Sequence, residues 1–208
     1  MQILDSIRDL VRSVMKSLAK ALNSLTGGSL SPNTVTIVGL LAHLPIAYLI
    51  ATRHNLRAAV LLVIFGLFDT LDGELARLQK RDSAAGMLLD ATTDRFKEVM
   101  LYTGAAYAIA GSGRPLMAGW AVVACGASLC VSYVKAKGET AVAKSHLSVS
   151  EINRLFADGL MRFEVRMTIL VIGLLSNRII LAIVVIAVFS SLTAINRLVN
   201  ISTKLKDV

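Results

Sequence analysis

The chain has 208 residues, of which 55% are hydrophobic and only 17% charged, with a formal net charge of +8. A soluble domain carries about 25% charged residues, so this composition argues against a disordered chain, a disulfide-built secreted scaffold and an ordinary soluble enzyme, and for an integral membrane protein. The two cysteines, Cys125 and Cys130, have no Cys/His cluster around them and read as small packing residues.

In chain order, the first 26 residues carry apolar side chains at helical spacing. Ile3, Ile7, Leu10, Val14, Leu18, Leu22 and Leu25 share one face, while Asp5, Arg8, Asp9, Arg12, Lys16 and Lys20 lie elsewhere. That pattern suits a helix lying on the membrane surface. It lacks the continuous apolar core and small-residue cleavage site of a signal peptide. Gly27-Gly28 ends this helix, and Ser31-Pro32 opens the next with a cap and a first-turn proline. Six apolar segments follow, at 35–52, 58–75, 86–110, 116–134, 163–175 and 179–199, several of them near the ~20 residues that cross a bilayer. The expected fold is an all-α integral membrane protein. It has an amphipathic interfacial helix over 1–28 and a six-helix transmembrane domain over 29–208.

Six spans place both termini on one side. Of the 22 lysines and arginines, only Arg53, Arg57, Arg114 and Arg178 fall on the opposite side, and all 14 acidic residues fall on the terminal side. The positive-inside rule makes that side cytoplasmic. The asymmetry accounts for the net charge without a nucleic-acid partner.

The join of the second and third spans carries the chemistry. Asp69 and Asp72 are three apart and Asp90 and Asp94 four apart, so each pair lies on one helix face. The short break at Arg81-Asp82-Ser83 makes the two helices antiparallel neighbours, and their carboxylates converge near the cytoplasmic boundary. Ionisable groups there are costly and usually functional. Four like charges need a compensating cation, and no matching set of lysines or arginines shares their face. Hard oxygen ligands point to a pair of Mg2+ or Mn2+ ions that share a phosphate ligand. Gly73, Ala76 and Gly86 lie on or beside the same stripe and leave room for a bulky ligand. Glu74 reads as a solvated carboxylate or a support for the ligands, and Asp82 with Ser83 as the cap of the third span.

Asp69, Asp72, Gly73, Ala76, Arg77, Gly86, Asp90 and Asp94 fill the pattern D-x-x-D-G-x-x-A-R, eight residues, G-x-x-x-D-x-x-x-D. At ~5% frequency per residue a chance match is about one in 10^10 per window. On these residues the chain resembles the CDP-alcohol phosphotransferase family, and Pro32, Asn33 and Thr36 resemble the start of that family's first span. The resemblance implies transfer of a phosphatidyl-type group from a CDP-linked lipid to a small alcohol, with CMP leaving and the active site cytoplasmic. It implies two metal ions held by Asp69, Asp72, Asp90 and Asp94, with Asp94 also the general base, and Arg77 on the donor's diphosphate. Asn33, Asp69, Gly73, Ala76 and Gly86 complete the implied donor site, and a homodimer through membrane helices is implied as well.

Ser132, Lys135, Lys137, Arg162, Arg166 and Arg197 resemble the basic pocket of the branch that uses inositol phosphate, the phosphatidylinositol-phosphate and dialkylether-inositol-phosphate synthases. Topology alone also places basic residues at cytoplasmic span ends, and glycerol 3-phosphate would satisfy the same cations. A capping box at Ser148-Val149-Ser150-Glu151 opens a short helix ahead of Asp158-Gly159. His43, inside the first span, reads as packing or a helix–helix hydrogen bond. A cation transporter is the rival of another class. It would place its acids near the midplane in repeated halves, and the sequence shows neither.

Overall fold

A computed structural model describes the backbone of residues 2–142 and 160–206, with side chains from 11–141 and 160–203. The capping box at Ser148–Glu151 and the Asp158-Gly159 pair lie outside the described residues. The described chain is all-helical: α1 (Gln2–Leu25), α2 (Pro32–Ala51), α3 (Asn55–Gly66), α4 (Phe68–Gln79), α5 (Ala84–Ala110), a 3-10 turn (Pro115–Ala118) leading into α6 (Gly119–Val142), α7 (Phe163–Leu175) and α8 (Ile179–Lys206). Three stretches are long and apolar enough to cross a membrane: Pro32–Ala51, Pro115–Ala141 and Ile179–Thr203. Large apolar side chains stay exposed on them, among them Leu41, Leu44, Val122, Leu181 and Leu192, as a lipid-facing surface requires.

The helices form two compact units, Met1–Tyr48 with Val60–Met100 and Leu49–Ala59 with Leu101–Val208. In the first, α1 packs along α4. Met15, Ala19, Val35, Leu71 and Leu75 form a buried cluster bordered by Val11, Leu22, Leu30, Leu67 and Phe68. The apolar side of α1 is therefore wider than the single expected stripe. Val11, Met15, Ala19 and Leu22 dock on protein, whereas Val14, Leu18 and Leu25 remain exposed. Gln79 at the end of α4 donates to Asn23 Oδ1 (2.8 Å) and to the Leu30 carbonyl (2.9 Å), pinning α4 to the α1–α2 connection.

The second expected span, one helix over 58–75, is two. Gly66 is the weak point, since glycine costs about 1 kcal/mol in a helix interior, and Leu67 is the joint between α3 and α4. Leu67 keeps helical dihedrals (φ −78°, ψ −15°), its carbonyl accepts from the amides of Thr70 and Leu71 at 3.1 Å, and the Phe65 and Phe68 rings meet across it at 4.9 Å. At α5 the cap is Ser83, whose Oγ accepts from the Gly86 amide at 3.0 Å; Asp82 does not share the task. In the second unit α6 and α7 pack on α8. Buried Ala121, Ala124 and Ser128 and Ala182, Ala187 and Ser190 are small enough for close approach. A Cβ on Gly173 would sit 2.3 Å from that of Ala182, so only glycine fits this position of α7, where α8 comes close. Cys125 and Cys130 form no disulfide.

Helix α1 stops as expected at Gly27-Gly28. The Gly28 amide bonds the Asn23 carbonyl (2.8 Å) and the Gly27 amide that of Ser24 (3.2 Å), both glycines at positive φ. Helix α4 stops by the same device, Arg81 to Ala76 (2.9 Å) and Lys80 to Arg77 (3.3 Å), but with Lys80 at φ +54°. A side chain in this region costs about 1–2 kcal/mol that glycine avoids, and Lys80 is exposed. Lys80→Gly will therefore be more stable than Lys80→Ala by about 1 kcal/mol. Thermal unfolding in detergent will show a midpoint difference of about 2–4 °C.

Candidate active site

Helices α4 and α5 meet through the four-residue turn Lys80–Ser83, which lays the two acid pairs side by side. Carboxylate oxygens of Asp69, Asp72 and Asp90 all lie within 4.8 Å of one another, with Asp72 buried and the other two half-buried. Helix α2 supplies a support. Gly39 allows close approach to α4, where a Cβ would come 3.4 Å from Phe68 Cβ. One turn earlier, the Thr36 hydroxyl donates to Asp72 Oδ2 at 2.5 Å. Thr93 does not join the cluster; its hydroxyl returns to the Asp90 carbonyl at 2.9 Å.

Asp90 Oδ1 is buried and has no hydrogen-bond partner among the described residues. An orphaned carboxylate oxygen inside a three-carboxylate cluster is what a hard divalent cation would satisfy, so the donor set fits Mg2+ or Mn2+. Asp94 stands outside the group of three. Its Oδ1 accepts from Lys97 Nζ at 3.1 Å, and Arg95 Nη2 lies 3.6 Å from its Oδ2. Arg95 Nη1 also pairs with the buried Glu98 at 3.1 Å.

Lys97 is the residue that sequence reasoning missed. Its side chain is 0% exposed, and its ammonium bridges Asp94 and Asp69. The signal was available, because 90, 94 and 97 are i, i+4 and i+7 on one face of α5.

Of the expected donor residues, Asn33 and Gly86 approach each other beside the α4–α5 turn, while Asp69, Gly73, Ala76 and Arg77 follow one another along α4. A Cβ on Gly86 would come 3.2 Å from Ser83 Oγ and 3.6 Å from Asn33 Oδ1, and one on Gly73 would come 3.6 Å from Arg77 Nη2. Ala76 is half-buried on the same helix. Arg77 Nη2 pairs with Glu74 at 2.7 Å, and Arg12 Nε reaches the same carboxylate oxygen from α1 at 3.2 Å. Glu74 is therefore not solvated. It is buried between two guanidinium groups, which offset its desolvation, and lies outside the metal-ligand group. An open cleft of about 510 Å³, lined by Arg12, Ser13, Lys16, Glu74 and Arg77, lies beside it.

In the second unit the six expected acceptor residues separate into two sets. Arg166 and Arg197 are buried. Arg166 Nη1 donates to the Met161 carbonyl at 2.5 Å and Arg197 Nη1 to that of Val131 at 3.2 Å. Arg162 and Arg166 lie within electrostatic reach of Arg197. Lys135 and Lys137 are exposed on α6, the former 3.8 Å from Glu139 and the latter 6.0 Å above the Tyr133 ring. The Ser132 hydroxyl bonds its own helix at the Ser128 carbonyl, 3.3 Å away. His43 is buried, with Nδ1 2.7 Å from the Gly39 carbonyl of its own helix rather than bonded across helices.

Comparison with known proteins gives the chain's family and fold. Residues 29–195 match the family model described as CDP-alcohol phosphatidyltransferase. The phosphatidylinositol phosphate synthase of Cutibacterium acnes is 32% identical over 141 residues, 66% of each chain. The archaetidylinositol phosphate synthase of Pyrococcus horikoshii is 28% identical over 206 residues, 98% of this chain and 99% of that one. The crystal structure of the Mycobacterium tuberculosis phosphatidylinositol phosphate synthase with CDP-DAG bound superposes with a TM-score of 0.78 at 25% identity, covering 92% of this chain and 94% of that one. The same enzyme with manganese and citrate gives a TM-score of 0.75 at 26% identity, covering 91% and 89%. With its signature residues assembled on α4 and α5, the chain belongs to the CDP-alcohol phosphatidyltransferase family.

Proposed function

We propose that this protein transfers a phosphatidyl-type group from a CDP-linked lipid to inositol phosphate and releases CMP. The carboxylate group of Asp69, Asp72 and Asp90, with its orphaned Asp90 oxygen, is the observation that carries the reading. The relatives named for inositol-phosphate products support the acceptor.

Asp69, Asp72 and Asp90 would hold Mg2+ or Mn2+, with Thr36 fixing the orientation of Asp72. The ions, two of them by the resemblance, supply charge stabilisation at the donor's diphosphate when bound. Arg77 holds the diphosphate, and Asn33, Gly73, Ala76 and Gly86 shape the donor pocket. The acceptor hydroxyl has a high pKa and needs a base within hydrogen-bond reach. Asp94, one turn beyond Asp90, takes that proton as the hydroxyl oxygen attacks the lipid-bearing phosphorus and the bond to CMP breaks. Arg166 and Arg197, buried and near Arg162, form the acceptor's phosphate site. Exposed Lys135 and Lys137, with Ser132, line its approach.

The membrane placement follows the charge asymmetry: six spans, α1 on the cytoplasmic surface, and both termini and the site cytoplasmic. Taken end to end, α3 and α4 supply 12 residues each, about 36 Å of helix, enough for a hydrocarbon core of ~30 Å. A homodimer through membrane helices completes the reading.

The test is CMP release by detergent-purified protein with CDP-diacylglycerol or CDP-archaeol and Mg2+ or Mn2+. Inositol phosphate, glycerol 3-phosphate, inositol and serine run in parallel. Release is expected with inositol phosphate alone and is lost in a chelator, and Asp94→Asn slows it by about 10^2–10^4-fold. Preference for glycerol 3-phosphate would keep the chemistry and sink the acceptor. Arg197→Met will raise KM for inositol phosphate by about 10–100-fold, the worth of a charged hydrogen bond. CDP-lipid affinity stays unchanged; an equal loss of both would place Arg197 in structural packing instead.

A further inference from the structure

Lys97 is a fully buried cation inside a group of acids that the proposed reaction assigns to metal. Its ammonium touches Asp69, one of the three clustered carboxylates, and lies 3.1 Å from Asp94 Oδ1. Asp69 comes from α4 and Asp94 from α5, so the one ammonium ties the two acid-bearing helices together. The other oxygen of Asp94 faces Arg95 at 3.6 Å, and Arg95, itself paired with Glu98, also acts on Asp90 through space, while Lys97 contacts the metal-ligand group directly at Asp69. A buried ammonium persists only where its charge is matched. A divalent ion seeking Asp69 meets a carboxylate already paired.

We infer that Lys97 is an internal counter-ion, a positioning residue that holds Asp69 and Asp94 in the metal-free protein and competes with divalent metal for Asp69. The inference rests on the metal reading above. It assigns Lys97 two opposed effects: it stabilises the empty centre, and it weakens metal binding. A residue serving only to pack α5 would do the first without the second. A residue that organises the centre for metal would strengthen binding.

Mn2+ binding to the detergent-solubilised full-length chain, measured by calorimetry, separates these roles. Lys97→Met keeps the side chain's length and removes its charge. It is expected to bind Mn2+ at least about tenfold tighter than the unmodified protein, to unfold at a lower temperature without metal, and to show a larger rise in melting temperature on loading. Lys97→Arg keeps the charge and is expected to retain the original affinity within about threefold. Equal or weaker Mn2+ binding by Lys97→Met would overturn the inference. Should Lys97→Met and Lys97→Gln both fail to fold without metal, recovery of folding by Mn2+ supports the counter-ion role and failure to recover overturns it. An unmodified protein that takes up no Mn2+ would instead overturn the metal reading itself. Uptake by both proteins with equal affinity leaves that reading standing and removes only the role of Lys97.

Discussion

Like charges held within 4.8 Å of one another cannot be left to themselves in a half-buried site. Most of the first unit can be read as the means of bringing Asp69, Asp72 and Asp90 together and tolerating the result. The short α4–α5 turn sets the two acid pairs side by side, α2 fixes one carboxylate through Thr36, and Lys97 draws Asp69 and Asp94 into one ion-paired group. Packing of Leu71 and Leu75 under α1 holds α4 from behind. Apolar burial thus counters electrostatic repulsion, and the repulsion is what makes the site attractive to a divalent cation.

How much of this was legible depended on whether a relation was local in sequence. Acid pairs three and four apart, the glycine stop at Gly27-Gly28 and the serine ahead of α5 are helix-periodic or capping features, and the chain displays them directly. Lys97 is equally local, three residues beyond Asp94, yet lysines near span ends are so common that the sequence does not single it out. Glu74 was not legible, since one of its partners, Arg12, lies on another helix 62 residues away, and only the docking of α1 on α4 brings them together. The joint at Leu67 is subtler still. Gly66 weakens the helix, but hydropathy carries on through it, so a window that sums apolar character reports one span.

The acceptor residues show the same division. Six basic or polar positions at span ends look alike in a sequence, because topology alone supplies most of them. Burial distinguishes them. Arg166 and Arg197 lie inside the second unit with carbonyl partners, while Lys135 and Lys137 rest on its surface with partners of their own. A cation taken out of water needs compensation that a surface lysine does not, and the carbonyls of Met161 and Val131 supply part of it to the two arginines.

The two apolar flanks of α1 tie chemistry to depth. Val11, Met15 and Ala19 belong to the protein core, and Val14, Leu18 and Leu25 face outward. With α1 lying on the membrane as proposed, one helix rests an apolar flank at the boundary of headgroups and acyl chains and is bolted on the other to the helix that carries Asp69 and Asp72. The plane of the bilayer surface then serves as the datum from which the carboxylates are positioned. The reacting phosphorus of a lipid donor is held near that same plane by its own tails, so substrate and centre find each other within the interfacial layer rather than in three dimensions.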